Sequence, residues 1–137
     1  MLRALAGTQE ACYQEPTIDL ETRMSDECIF CEIGRDPSNA AVVYRDNVVF
    51  AINDINPKAP IHMLIIPIKH ITGLSEMAGN DELIMMYVAL AAEEMAKRQG
   101  ISKQGFRLII NQGQDAGQTI NHLHAHMMGG KSLGDMG

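Results

Sequence analysis

No run of eighteen apolar residues occurs in this 137-residue chain, although 46% of it is hydrophobic, so a membrane-spanning helix is not expected. Positive charge is also scarce. Eleven Lys and Arg against seventeen Asp and Glu leave a net charge of −6 and a pI near 5.2. A nucleic-acid polymer is a poor partner for such a surface, because phosphate backbones require a basic face. A small anion remains a suitable ligand, held by histidines and backbone amides. Three cysteines are too few and too unevenly placed for a disulfide framework, which implies a reducing, cytoplasmic setting. Internal repeats and low-complexity tracts are missing as well. Residues 1–24 contain no seven-residue apolar core and no clear cleavage site. They read as a mobile extension carrying a stray thiol at Cys12, and residues 25–137 as one domain with a single core.

Within that domain the pattern is α+β. Ser25 can cap a short helix with Asp26 and Glu27 in its first turn, running through Cys28 to Ile33 and stopping at Gly34. Residues 41–44 and 48–52 flank Arg45, Asp46 and Asn47 as a hairpin. Residues 62–67 form a third strand, apolar enough to be central. Asn80 caps the longest helix, Asp81 to about Gln99, closed by Lys97, Arg98 and Gly100. Ile84, Tyr87, Val88, Ala91 and Met95 make its core stripe, while Leu83, Met86 and Leu90 make a second apolar flank. Strands at 106–110 and 121–128 complete an antiparallel sheet of about five strands.

The last of these strands holds most of the histidine. Three of the chain's five histidines fall within five residues: His122, His124 and His126, interleaved with Leu123, Ala125 and Met127. On a strand, side chains alternate between faces, so the imidazoles share one face and the apolar residues the other. At about 3.3 Å per residue, His122 and His126 lie roughly 13 Å apart. Bonds of about 2 Å cannot gather all three onto one ion. The histidines must therefore divide the labour. Upstream, Gly113 and Gly117 bracket a polar turn able to aim backbone N–H groups at an anion. Cys28 and Cys31 share one helix face. They can be buried small hydrophobes, or half of a zinc site completed by two further ligands, for which His70 and His122 are available.

The run from His122 to Met128 resembles the signature of the histidine triad (HIT) family, in which apolar residues alternate with three histidines. The resemblance extends in order over Asn53–Ile55, Ala59–Pro67, Lys69–Ile71, Asn111 and the Gly117, Gln118, Thr119 run, and matches the histidine triad nucleotide-binding branch. It implies a homodimer with the two sheets joined into one, and a purine nucleoside monophosphate conjugate as substrate. Hydrolysis would pass through a nucleotidyl group on His124, the family's nucleophile, whose far ring N–H would be held by the Gly117 carbonyl. His126 matches a donor to the phosphate, His62 a further histidine beside it, and Asn111 and Thr119 lie by the leaving group. The family has serine where Thr119 stands. Asp54 matches the acceptor for the ribose hydroxyls, and Gln118 falls in the substrate-binding run. Phe30, Ile33, Ile52, Asn53 and Ile55 would line the base pocket. Cys28, Cys31, His70 and His122 match the zinc ligands of metal-carrying members. Hydrolysis of dinucleoside polyphosphates, or nucleotide binding with incidental hydrolysis, stays open beside the phosphoramidase reading.

Overall fold

A computed structural model describes residues 28–137; Ser25, Asp26, Glu27 and the extension lie outside the described residues. Helix α1 spans Ile29–Arg35. Its cap is Cys28, whose Sγ accepts the Cys31 N–H at 3.4 Å. The expected stop at Gly34 is not where the helix ends. Gly34 is instead a packing position, because a Cβ there would meet Phe50 Cε1 at 2.8 Å. Strands β1 (Val42–Arg45) and β2 (Val49–Asn53) form the expected hairpin. Asp46 Oδ1 closes its turn by accepting the Val48 and Val49 amides at 2.7 and 2.8 Å. Strand β3 is Ile61–Pro67, helix α2 Glu82–Arg98, strand β4 Phe106–Ile110 and strand β5 Ala125–Gly129.

The five strands form one sheet in the order β1-β2-β3-β5-β4, every neighbouring pair antiparallel. Strand β3 lies at the centre and is buried on both faces, which accounts for its unbroken apolar run. On one face Val49, Ala51, Met63, Ile65, Leu123, Ala125 and Met127 pack under Ile84, Val88, Ala91, Ala92 and Met95 of α2. On the other, Phe30 of α1 packs with Phe50, Ile52, Leu64 and Ile66. Tyr87 is partly buried and packs against this core, which Ala92 and Ala96 join as well. Asn80 does not cap α2. A 3₁₀ turn, Gly79–Asp81, leads into the helix, and Asp81 Oδ2 accepts the Ala78 N–H at 3.0 Å while Oδ1 accepts Lys69 Nζ at 2.9 Å. No described helix is long and apolar enough to cross a membrane.

The last strand begins later than expected. Residues 121–124 are irregular and only Ala125–Gly129 pairs with β3 and β4. Sidedness nevertheless survives, since Leu123 joins the α2 core while the His122 and His124 rings meet Phe30 edge-on at 5.8 and 5.2 Å. Leaving the ladder at 124 releases backbone for hydrogen bonds that a strand would have consumed.

Candidate active site

The α1 face of the sheet opens into a cavity of about 700 Å³. Its walls bring together Asp54, His62, Asn111, Gly117, Thr119, His124 and His126 with Phe30, Ile33, Ile52, Asn53 and Ile55, so twelve residues proposed from sequence meet in one place. Ile29, Lys58, Leu64, Ile109, Ile120, Met128 and Met136 line it too. Several of those carried no polar signal, and only the sheet register could have placed them. Gln118 does not line the cavity. Its amide nitrogen donates to the Thr72 and Ile120 carbonyls at 2.7 and 3.2 Å, and its Oε1 accepts the Gly113 N–H at 2.9 Å. It ties the loop down. The Gly117 and Gln118 amides also bond within the loop, to Gln114 and Gly113 carbonyls at 3.0 and 3.1 Å. These three N–H groups are thus spent internally and not aimed at an anion.

The three histidines hold three different positions, and their hydrogen bonds fix which nitrogen carries the proton. His122 is fully buried and its Nε2 lies 2.8 Å from the Pro67 carbonyl. A carbonyl can only accept, so Nε2 is protonated and Nδ1 is bare. Burial, above all, pushes His122 down to about 4, so the ring is neutral. His124 Nδ1 lies 2.7 Å from the His122 carbonyl. By the same logic Nδ1 is the donor, and in the neutral tautomer Nε2 carries the lone pair. The anchor of this ring is therefore His122, not the Gly117 carbonyl expected from the family pattern. The irregular backbone at 121–124 makes that i, i−2 bond possible. His126 Nδ1 lies 3.0 Å from His62 Nε2. His62 Nδ1 in turn accepts the Lys58 amide at 2.9 Å, so neutral His62 must carry its proton on Nε2 and donate to His126. Burial depresses both His62 and His126, favouring neutral rings. His126 then presents Nε2–H as a donor.

Two side-chain clusters have metal-ligand composition. In the first, the donor atoms of Cys28, Cys31, His70 and His122 all lie within 4.8 Å of one another. His122 Nδ1 is 3.4 Å from Cys28 Sγ, 3.6 Å from Cys31 Sγ and 3.2 Å from His70 Nδ1, and Cys31 Sγ is 3.1 Å from His70 Nδ1. A tetrahedron with bonds of about 2.0–2.3 Å has edges of roughly 3.3–3.8 Å, so these separations suit four ligands of one ion. The bare Nδ1 of His122 points the same way. The second cluster, Asp54, His62 and His126, has the opposite chemistry. His62 Nε2 holds a proton and not a lone pair, because Nδ1 is occupied by the Lys58 amide. It is a hydrogen-bond chain.

An antiparallel five-stranded sheet, one long and one short helix, and a row of histidines divided between a metal-type cluster and a cavity define an α+β class of small histidine-rich domains. The comparisons place the chain within that class. The HIT domain matches residues 35–133. Purine nucleoside phosphoramidase of Escherichia coli strain K12 is 37% identical over 113 residues, 82% of this chain and 95% of that protein. Among solved structures, a HIT family hydrolase from Clostridium thermocellum is 41% identical with a TM-score of 0.75, covering 81% of this chain and 96% of that one. A zinc-bound histidine triad family protein from Mycobacterium smegmatis is 31% identical with a TM-score of 0.64, covering 76% of this chain and 75% of that one. The protein belongs to the HIT family and is a hydrolase.

Proposed function

We propose that this hydrolase cleaves purine nucleoside 5′-monophosphate conjugates, in the manner of a phosphoramidase, through a covalent nucleotidyl-histidine. The observation that carries the reading is His124. Its Nδ1–H is tied to the His122 carbonyl at 2.7 Å, leaving Nε2 as the bare nitrogen of a ring lining the cavity. Such a nitrogen attacks phosphorus without a separate base. His126 Nε2–H, with Asn111 and Thr119 nearby, holds the developing charge on the phosphoryl oxygens and the leaving group. The purine lies among Phe30, Ile33, Ile52, Asn53 and Ile55. Steady-state turnover of a fluorogenic adenosine phosphoramidate tests the reading directly, and a protein that binds adenosine monophosphate but turns nothing over would reduce it to a binding module.

Asp54 takes the ribose. One carboxylate oxygen, Oδ1, accepts the Asn56 N–H at 2.8 Å, so the turn itself orients Oδ2 beside the cavity. Loss of the 2′-hydroxyl is expected to remove a charge-assisted hydrogen bond of about 1.5–3 kcal/mol, roughly ten- to a hundredfold in kcat/KM. Equal kcat/KM for ribo- and 2′-deoxyribonucleotide phosphoramidates would remove Asp54 from the site. Zinc is the ion proposed for the Cys28, Cys31, His70, His122 cluster, where four protein ligands would close its shell and make it structural.

The working unit is proposed to be a homodimer with the sheets joined. Leu83, Met86 and Leu90 of α2 are 50, 49 and 57% exposed, an apolar flank with no cover among the described residues. Strand β4 stands at the sheet edge with Leu108 exposed as well, a template for pairing with a symmetry mate. Sedimentation at micromolar concentration should give twice the chain mass, and a monomer there would refute the assembly.

A further inference from the structure

His62 is buried, and both of its ring nitrogens are engaged by the protein. Nδ1 accepts the Lys58 amide at 2.9 Å. The single Nε2–H faces two acceptors at once, His126 Nδ1 at 3.0 Å and Asp54 Oδ2 at 3.3 Å. With one proton between two acceptors, whatever weakens one partner strengthens the bond to the other. The competing acceptor is the carboxylate oxygen left over once Oδ1 has taken the Asn56 amide. This oxygen is also the one assigned above to the ribose.

We infer that His62 is a positioning residue that couples sugar recognition to the phosphate donor: a ribose hydroxyl on Asp54 Oδ2 hands the His62 N–H wholly to His126. No covalent bond is made or broken in this step; one hydrogen bond is redistributed. Donation into Nδ1 polarises the His126 ring and makes its Nε2–H a stronger donor to the phosphoryl oxygens. Burial keeps both rings neutral, so the chain works by polarisation and not by a fixed charge. Part of the preference for ribose over deoxyribose then belongs to the chemical step and not to binding alone. This inference rests on the proposed placement of ribose on Asp54 and phosphate on His126.

The first test uses no turnover. In the wild-type protein, saturating adenosine monophosphate should move the Nδ1 resonance of ¹⁵N-labelled His126 further than saturating 2′-deoxyadenosine monophosphate does. The difference should vanish in His62→Leu. It should return in part in His62→Gln, whose amide N–H stands in for Nε2–H. The second test measures the nucleotidylation rate constant at saturation for adenosine and 2′-deoxyadenosine phosphoramidates. The wild-type ratio should be roughly three- to tenfold, the loss of one ordinary hydrogen bond. In His62→Leu it should fall to about one, while the ratio of dissociation constants persists. Equal His126 shifts with the two nucleotides overturn the inference whether or not any phosphoramidate is cleaved. A sugar effect confined to the dissociation constant also overturns it, while leaving the hydrolase reading standing. Wild-type nucleotide shifts without cleavage of either substrate would instead defeat the hydrolase reading and retain the coupling. The wild-type comparison needs no variant, so misfolding of His62→Leu cannot mask the result.

Discussion

His124→Ala is expected to lower kcat by about four orders of magnitude or more, because removing a nucleophile leaves only binding and electrostatic contributions. The geometry makes the prediction specific to this ring. His122 has its bare nitrogen among Cys28, Cys31 and His70, and His126 has its Nδ1 filled by His62. Of the three, only His124 lines the cavity with Nδ1 committed to a carbonyl, so that Nε2 is the bare nitrogen of its neutral tautomer. Nucleotide affinity should change little, since the ring makes no ground-state contact in this mechanism. Rapid quenching without acid, followed by intact-mass measurement, should catch one nucleotidyl group on the wild type and none on the variant. Two successive displacements at phosphorus should leave its configuration unchanged. Inversion, or near-normal turnover by His124→Ala, would mean that water attacks directly and the histidines only bind.

The second large effect is expected on loss of the proposed zinc. Tag-free protein should contain about one zinc per chain, and Cys28→Ser should contain none. An ion bound a thousandfold above its dissociation constant stabilises the folded state by about 4 kcal/mol. For a domain of this size that corresponds to a fall in Tm of the order of 10 °C when the ion is removed. The fall is expected to be large because the ligands come from distant elements. Cys28 and Cys31 belong to the start of α1, His70 follows β3, and His122 precedes β5. The consequence reaches the proposed nucleophile, since the carbonyl that orients His124 belongs to His122. Chelation should therefore lower kcat at temperatures where the protein is still folded. Absence of stoichiometric metal in fully reduced protein would return Cys28 and Cys31 to the role of core residues.

Local pattern was enough for the elements themselves. Alternation placed His122, His124 and His126 opposite Leu123, Ala125 and Met127, and the unbroken run Met63–Ile66 marked the central strand, because burial on two faces leaves no room for polar alternation. The spacing argument also anticipated that one ion could not hold all three imidazoles, and His122 and His126 do fall in separate clusters, with His124 in neither. The family resemblance, carried by several segments at once, collected most of the cavity wall. Gln118 lies outside that wall and fastens its own loop.

Sequence by itself thus determined the strand and helix inventory, the face on which the histidines stand, and the chemical types assembled there, because each follows from side-chain periodicity or a contiguous motif. Tertiary structure decided the tautomers along the histidine row. Which nitrogen of His122, His124 or His126 carries hydrogen depends on Pro67, on the His122 carbonyl and on His62, partners set by sheet register and by a break from the strand that no periodicity announces. It also separated the two clusters that composition alone makes look alike. One offers a bare nitrogen to a metal, and the other, through the Lys58 amide on His62, is committed to a hydrogen-bond chain. A lone pair is a property of three-dimensional neighbours, and residue identity cannot assign it.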